Sequence, residues 1–259
     1  MVRILLDRRS ASHGRLALIV CALAVAGCTA ERKEDLLAKV VAENTRARGG
    51  AAAREAARAV EMRMRIVERG FALDAVYRAT RDGRMRIDVS AAGKRVYSEG
   101  YDGRRGWQWP QGAAHASDAT AAGEAALLHG LEYPTNLHGL NEMPARGHRL
   151  ALAGREVLDG TDYHVLELTL KDGFVTYLYV NPATYLIDRQ RDVRALHPDT
   201  DPSTKWLEQR FGDYRSVDGR MLSFKGEQVD LRANEVRQTT TVVDVKTNPT
   251  LGPDAFVRP

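Results

Sequence analysis

From residue 60 onward, apolar and polar positions alternate with a period of two. "VEMRMRIVE" sets Val60, Met62, Met64 and Ile66 against Glu61, Arg63 and Arg65, and "RMRIDVS" sets Met85, Ile87 and Val89 against Arg84, Arg86 and Asp88. Successive side chains of an extended chain point to opposite faces, so this pattern predicts strands with one face buried and one in water. "FALDAVYRAT" lies between the two, and "RDGR" joins it to the second as an Asp-Gly hairpin turn. "KRVYSEGYD" and "GRRGWQW" follow, and strand-like segments resume at "RLALAGREVLDG" and run to "EVRQTTTVVDVKTN". Asp-Gly or Asn-Pro punctuates nearly every boundary ("LDG", "KDG", "VNPATY", "VDG", "TNPT"). Short turns between consecutive strands predict an antiparallel meander, of about eleven strands here.

Two stretches leave this period. Residues 31–47, "ERKEDLLAKVVAENTRA", place Leu36, Leu37, Val40 and Val41 at helical spacing, with acids early and arginine late, before "GG" at 49–50. This predicts an amphipathic helix of about four turns, docked by one face and ended by the glycines. Residues 117–132, "SDATAAGEAALLHGLE", predict a second helix capped by Ser117 or Asp118, with Leu127, Leu128 and Leu131 on one face. A sheet this large must curl or be covered to hide its apolar face. The expected fold class is mainly β with two or three helices: a large curled antiparallel sheet whose one apolar face is covered by the helices.

By alternation the concave side carries Met62, Met64, Ile66, Met85, Ile87 and Val89 from the first strands. Leu166, Leu168, Leu170 and Leu178 join them from the middle, and Leu222, Phe224, Val243 and Val245 from the end. Trp107 belongs to the same candidate lining, where it and Trp109 either stand at the rim or plug the barrel end. Such a set forms either a filled core or an apolar pocket for a ligand, with methionines as adaptable liners.

A third apolar pattern stands at the N-terminus. Leu16 to Gly27 is twelve residues without a charge, whereas a membrane-spanning helix takes roughly twenty. Arg3, Arg8, Arg9 and Arg15 precede it, and small Ala26 and Gly27 end it, which describes a secretory signal. The last four residues, "VAGC" at 25–28, resemble the lipobox of bacterial lipoproteins. That resemblance implies cleavage before Cys28, lipid on its thiol and acylation of the new amino group. An uncleaved signal anchor, or a signal cut elsewhere beside a chance cysteine, are the alternatives. The expected division is a signal over 1–27, a lipidated tether over 28–34 and a single domain over 35–259. Thr29 after the cysteine, by analogy with Gram-negative lipoproteins, points to the periplasmic face of the outer membrane. Several acyl chains on one residue anchor a protein stably, whereas one holds only marginally.

Removing the signal changes the charge argument. The whole chain has 38 basic and 34 acidic residues; without residues 1–27 the counts are 34 and 33. That balance offers no broad attraction for nucleic acid. Of the two cysteines, Cys21 leaves with the signal, so no intramolecular disulfide or thiolate zinc site is expected. The histidines show no His-x-x-x-His spacing with a glutamate, and no nucleophile elbow, P-loop or dinucleotide fingerprint occurs. "HPDTDPS" at 197–203 gathers His197, Asp199 and Asp201, but an EF-hand loop begun at Asp199 would have Thr204 for its glycine and Arg210 for its glutamate. It reads as a hairpin loop. No metal, cofactor or catalytic residue is expected, and the chain reads as a non-enzyme.

Several segments in order carry a wider resemblance. "ENTRARGG" (43–50), "YDGRRGWQWPQG" (101–112), the "VLDGTDYHVLEL" and "FVTYLYVNPATYLIDR" hairpin, "FGDYRSVDGRMLSFKGE" and "VKTNPTLGPDAFVRP" resemble the outer-membrane lipoprotein-sorting proteins. These share a half-barrel fold with the periplasmic lipoprotein carrier, its outer-membrane receptor and the periplasmic regulator of envelope stress. The resemblance covers about residues 34 to 259 and implies an open half barrel of about eleven strands under a helical lid, its concave apolar side able to accept acyl chains, with no cofactor. The implied function is a lipid-anchored envelope protein that binds acyl chains or lipoproteins, in lipoprotein sorting or outer-membrane assembly. An envelope sensor acting on a protein partner through the same half barrel is the alternative; that partner's identity stays open.

Overall fold

A computed structural model describes residues 32–259. The expected signal, the Cys28 attachment site and residues 28–31 of the expected tether lie outside the described residues. The first series of strands comprises β1 (Ala59–Glu68), β2 (Phe71–Thr80), β3 (Met85–Ala91), β4 (Lys94–Tyr101), β5 (Gly106–Pro110) and the two-residue β6 (Ser117–Asp118). The second comprises β7 (Arg149–Leu158), β8 (Thr161–Thr169), β9 (Val175–Val180), β10 (Ile187–Arg194), β11 (Lys205–Val217), β12 (Arg220–Asp230) and β13 (Glu235–Thr247).

All lie in one 13-stranded sheet, ordered β6-β5-β4-β3-β2-β1-β13-β12-β11-β10-β9-β8-β7. Every ladder joins sequence neighbours, except that β1 pairs with β13 and so fuses the two meanders. The chain enters at mid-sheet, runs to one edge, crosses to the other and returns. β6 and β7 are the edges, and the sheet is not closed into a barrel: the large antiparallel sheet expected from the alternation, in the open half-barrel form the resemblance implied, with more strands than anticipated.

Part of the excess is β6. Ser117 and Asp118, expected to cap a helix, pair instead with Gln108 and Trp107. The cap falls to Thr120, whose hydroxyl accepts from the Gly123 amide at 3.1 Å. A side-chain cap needs only an oxygen before the first turn, and three candidates stand within four residues.

Among the described residues three α-helices cover the sheet: α1 over 32–47, α2 (Gly50–Ala56) and α3 (Ala121–Glu132). The glycines end α1 as expected, but "GAAAREA" restarts at once as α2, an alanine-rich run whose helix propensity is the signal the period analysis missed. Gly49 makes the corner at φ 97°. A Cβ there would lie 1.8 Å from the Gly219 carbonyl oxygen, so only glycine lets this corner sit on the β11–β12 turn.

The helical stripes bury as their spacing requires. Val40 of α1, with Leu36, Leu37 and Val41 beside it, packs in a cluster with Leu140, Met143 and the apolar face of β8–β10. Leu127 and Leu131 of α3 pack in a second cluster with Met62, Met85, Leu222 and Phe224. Tyr163, Val165 and Tyr179 form a third; the Arg189 and Arg191 guanidiniums lie 5.8 and 4.8 Å from the Tyr163 and Tyr179 ring centres and cover them. Among the described residues no helix is long and apolar enough to cross a membrane.

Candidate functional site

Between the two helix-covered clusters the concave side is left partly unfilled. The gap is a cavity of about 280 Å³ with Met62, Met64, Ile187, Phe211 and Val242 as its apolar wall. Tyr133, Gln190, Gln209, Tyr214 and Thr240 add neutral polar groups, and Arg48, Arg194 and Lys225 add charge. A neighbouring hollow of about 290 Å³ is lined by Ile66, Leu73, Ile87, Val89 and Val96, with Glu99 among them.

The candidate residues therefore divide. Met62 and Met64 face the first hollow; Ile66, Ile87 and Val89 face the second. Leu166, Leu168, Leu170 and Leu178 are filled core in the α1 cluster. Met85, Leu222 and Phe224 are core in the α3 cluster, with Val245 packed against it.

Two assignments are corrected. Val243 points away from the concave side and is 69% exposed. The β1–β13 register pairs Arg63 with Asp244 and Met64 with Val242, leaving Val243 as the extra residue of a bulge. A bulge shifts a strand's inward set by one, so Val242 takes the buried place. Trp107 is 2% exposed and lines neither hollow. Its indole N–H donates to the Phe256 carbonyl at 2.9 Å, so it plugs one end of the half barrel under the C-terminal segment.

Glu99 is a site residue the alternation of β1 and β3 did not disclose. It pairs with Ile87 across β3–β4, so its carboxyl shares the hollow's apolar wall. Burial pushes that carboxyl above its ordinary range, though nearby His197 opposes the shift, and the Tyr97 hydroxyl donates to it at 3.0 Å. The 197–203 loop does not gather ligands: Asp199 instead accepts from the Thr120 amide at 2.9 Å, tying the loop to the start of α3. Among the described residues no group of three or more His, Cys, Asp or Glu is placed to hold a metal ion.

The segment from α3 to β7 borders the first cavity and hangs on arginines. Arg48 donates to the Pro134 and Thr135 carbonyls, Arg220 to the Asn136 carbonyl at 2.9 Å and Arg81 to the Leu137 carbonyl at 3.0 Å. A carbonyl presents no net charge, so these bonds orient the loop without neutralising the guanidiniums. Glu142 supplies one counter-charge, to Arg81.

The far end of α3 is held by ionisation. Glu132 receives Arg146, His148 at 2.9 Å and Lys171 at 3.0 Å. Burial pushes its carboxyl up, but these hydrogen bonds outweigh it and hold the pKa down at about 2. His138 shifts the same way for a different reason: burial, with Arg146 and Arg81 nearby, lowers its imidazole to about 4. From pH 6.5 to 4 the unfolded chain binds a proton at His138 that the folded one refuses; from about 4.5 to 2 the same holds at Glu132. Stability therefore falls as pH falls through both windows. Each pH unit of depression is worth about 1.4 kcal/mol, on the order of 3 kcal/mol for Glu132. Urea midpoints measured from pH 7 to pH 2.5 are expected to decline throughout, and Glu132→Gln is expected to flatten the part below pH 4.5; an unaltered slope there would refute the assignment.

Solved structures share this architecture. A LolA superfamily protein from Nitrosomonas europaea is 14% identical over 86% of this chain and 97% of its own, with a TM-score of 0.53. An outer membrane lipoprotein-sorting protein domain from Vibrio parahaemolyticus is 9% identical over 85% and 95%, with a TM-score of 0.54. This chain shares the fold of both structures. A DUF1329 family protein from Desulfovibrio piger, 14% identical over 85% and 96%, aligns with the same TM-score of 0.54. No protein-family profile and no curated protein matches the sequence itself. In this half barrel the first cavity lies on the concave side, between the parts of the sheet covered by α1 and α3.

Proposed function

We propose that this chain is a lipid-anchored protein of the bacterial envelope, tethered through Cys28 at the periplasmic face of the outer membrane, that binds an acyl chain on its concave side. It acts by binding rather than by catalysis, in lipoprotein sorting or outer-membrane assembly. The observation that carries the reading is the cavity walled by Met62, Met64, Ile187, Phe211 and Val242, which the protein's own side chains leave unfilled. Likeness of fold to an outer membrane lipoprotein-sorting domain supports it.

Burial of hydrocarbon supplies about 0.8 kcal/mol per methylene, so even after ordering costs a single chain is held usefully. Two adaptable thioethers in the wall suit a ligand without fixed shape. The test is extraction of the exported chain carrying Cys28→Ser, which blocks attachment of its own lipid, followed by mass spectrometry of what comes with it. Acyl species at about one per chain are expected. Met64→Trp fills the cavity with a larger ring and is expected to reduce the recovered lipid at least tenfold. Overpacking of this kind destabilises by about 1–3 kcal/mol, so circular dichroism should still show a folded sheet. An empty wild-type domain, or undiminished lipid in the tryptophan variant, would remove the proposal.

A further inference from the structure

The charges around the first cavity are one-sided. No aspartate or glutamate lines it, while three cationic side chains, Arg48, Arg194 and Lys225, do. Arg194 is paired with Asp192, and Lys225 with Glu227 at 3.0 Å, and neither carboxylate stands in the wall. Arg48 has no such partner: its two terminal nitrogens donate to carbonyls, and its Nε is buried without an acceptor. Its side chain is almost wholly enclosed, with 7% of the residue exposed.

The surroundings of Arg48 deepen the imbalance. Arg220 and Arg54 act on it or are acted on by it electrostatically, and Arg81 acts on both. Arg54 is itself buried at 3% exposure, and both its terminal nitrogens lack a partner. Against these four cations stand Glu142 and, beside Arg220, Asp218. A desolvated charge without a counter-ion is costly, and the cost disappears when a ligand brings the opposite charge.

We infer, building on the acyl-binding reading above, that the cavity takes one acyl chain ending in an anionic oxygen headgroup, with the hydrocarbon along Met62, Met64 and Phe211 and the headgroup at Arg48. The volume of about 280 Å³ is near the lower limit of small-molecule sites, about 300–1,000 Å³, and fits a single chain. Guanidinium matches carboxylate and phosphate alike, since both offer paired oxygens to its planar donors.

The probes are dodecanoate, dodecyl phosphate, uncharged monododecanoylglycerol and dodecyltrimethylammonium, titrated below their micelle concentrations into the exported Cys28→Ser chain. Displacement of an environment-sensitive dye reports binding. Both anions are expected to bind at least tenfold more tightly than the neutral lipid, and the cation most weakly. The tighter of the two anions then distinguishes a carboxylate from a phosphate headgroup. Arg48→Gln is expected to erase the preference while the neutral lipid still binds. Because Arg48 also holds the 133–136 loop, the neutral lipid is the control: its unchanged affinity in the variant shows that the cavity survives the substitution. Equal binding of anionic and neutral lipids would overturn this inference and leave the acyl-binding reading standing. Failure of all four to bind would overturn both.

Discussion

Trp107→Ala is expected to lower stability by about 3–5 kcal/mol, the range for emptying a buried tryptophan site. In a domain of this size that corresponds to a fall in Tm on the order of 10 °C. The ring fills one end of the half barrel and touches more than its own strand. Directly across β4–β5 stands Gly100, where a Cβ would lie 2.6 Å from the indole ring, so the position is emptied to receive it. The indole N–H reaches the Phe256 carbonyl; Arg84 lies 5.2 Å from the Phe256 ring centre, and Arg258 pairs with Asp118. Removing the ring thus leaves a void and frees the C-terminal segment together. Limited proteolysis should cut the variant within residues 248–259 at a rate the wild type does not show. Trp107→Phe keeps most of the apolar contact and loses the bond to Phe256, so a smaller loss of about 1 kcal/mol is expected. Equal losses in the two variants would mean that the filled volume is not what matters there.

Glu208→Gln is expected to be comparably severe, about 3 kcal/mol or more, on the side of the sheet away from the lid. The Glu208 side chain is wholly enclosed and accepts from Arg189 at 3.0 Å, Arg191 at 2.6 Å and Arg210 at 2.6 Å. Burial pushes its carboxyl up, but these guanidiniums overcome that and hold it below the ordinary range. Breaking a buried ion pair by neutralising one member strands the other, which is where the large cost arises. Arg189 and Arg191 are also the residues that cover Tyr163 and Tyr179, so losing their anchor is expected to uncover those rings. Urea unfolding measures the stability, and faster quenching of tyrosine fluorescence by iodide measures the exposure. A variant as stable as wild type would show that the arginines are held by their other partners, Asp159 and Glu156.

The two variants probe devices of different legibility. Gly100 and Trp107 were visible as residues, but nothing in "SEGYDGRRGWQW" declares that they face each other, because register between strands is a property of the pair. Glu208 sits in "KWLEQR" as an ordinary alternating acid. Its three arginines come from positions 189, 191 and 210, and only the β10–β11 pairing brings them together.

What the chain determined by itself was local and periodic. Period-two alternation dictated the strands, Asp-Gly and Asn-Pro turns dictated that neighbours in sequence become neighbours in the sheet, and the Leu36–Val41 stripe dictated a docked helix. Each depends on residues a few positions apart, where backbone geometry alone decides which side chains share a face. Tertiary structure decided what that shared face became. Leu166, Leu168 and Leu178 lie under α1 and are core, whereas Met62 and Met64 border the gap between the two covered parts of the sheet. One bulge exchanged Val243 for Val242. Four arginines, spaced along more than half the chain, converged beside the cavity with few carboxylates to match them. Convergence of that kind is written in no stretch of sequence, because it depends on where strands and helices from distant parts of the chain come to rest.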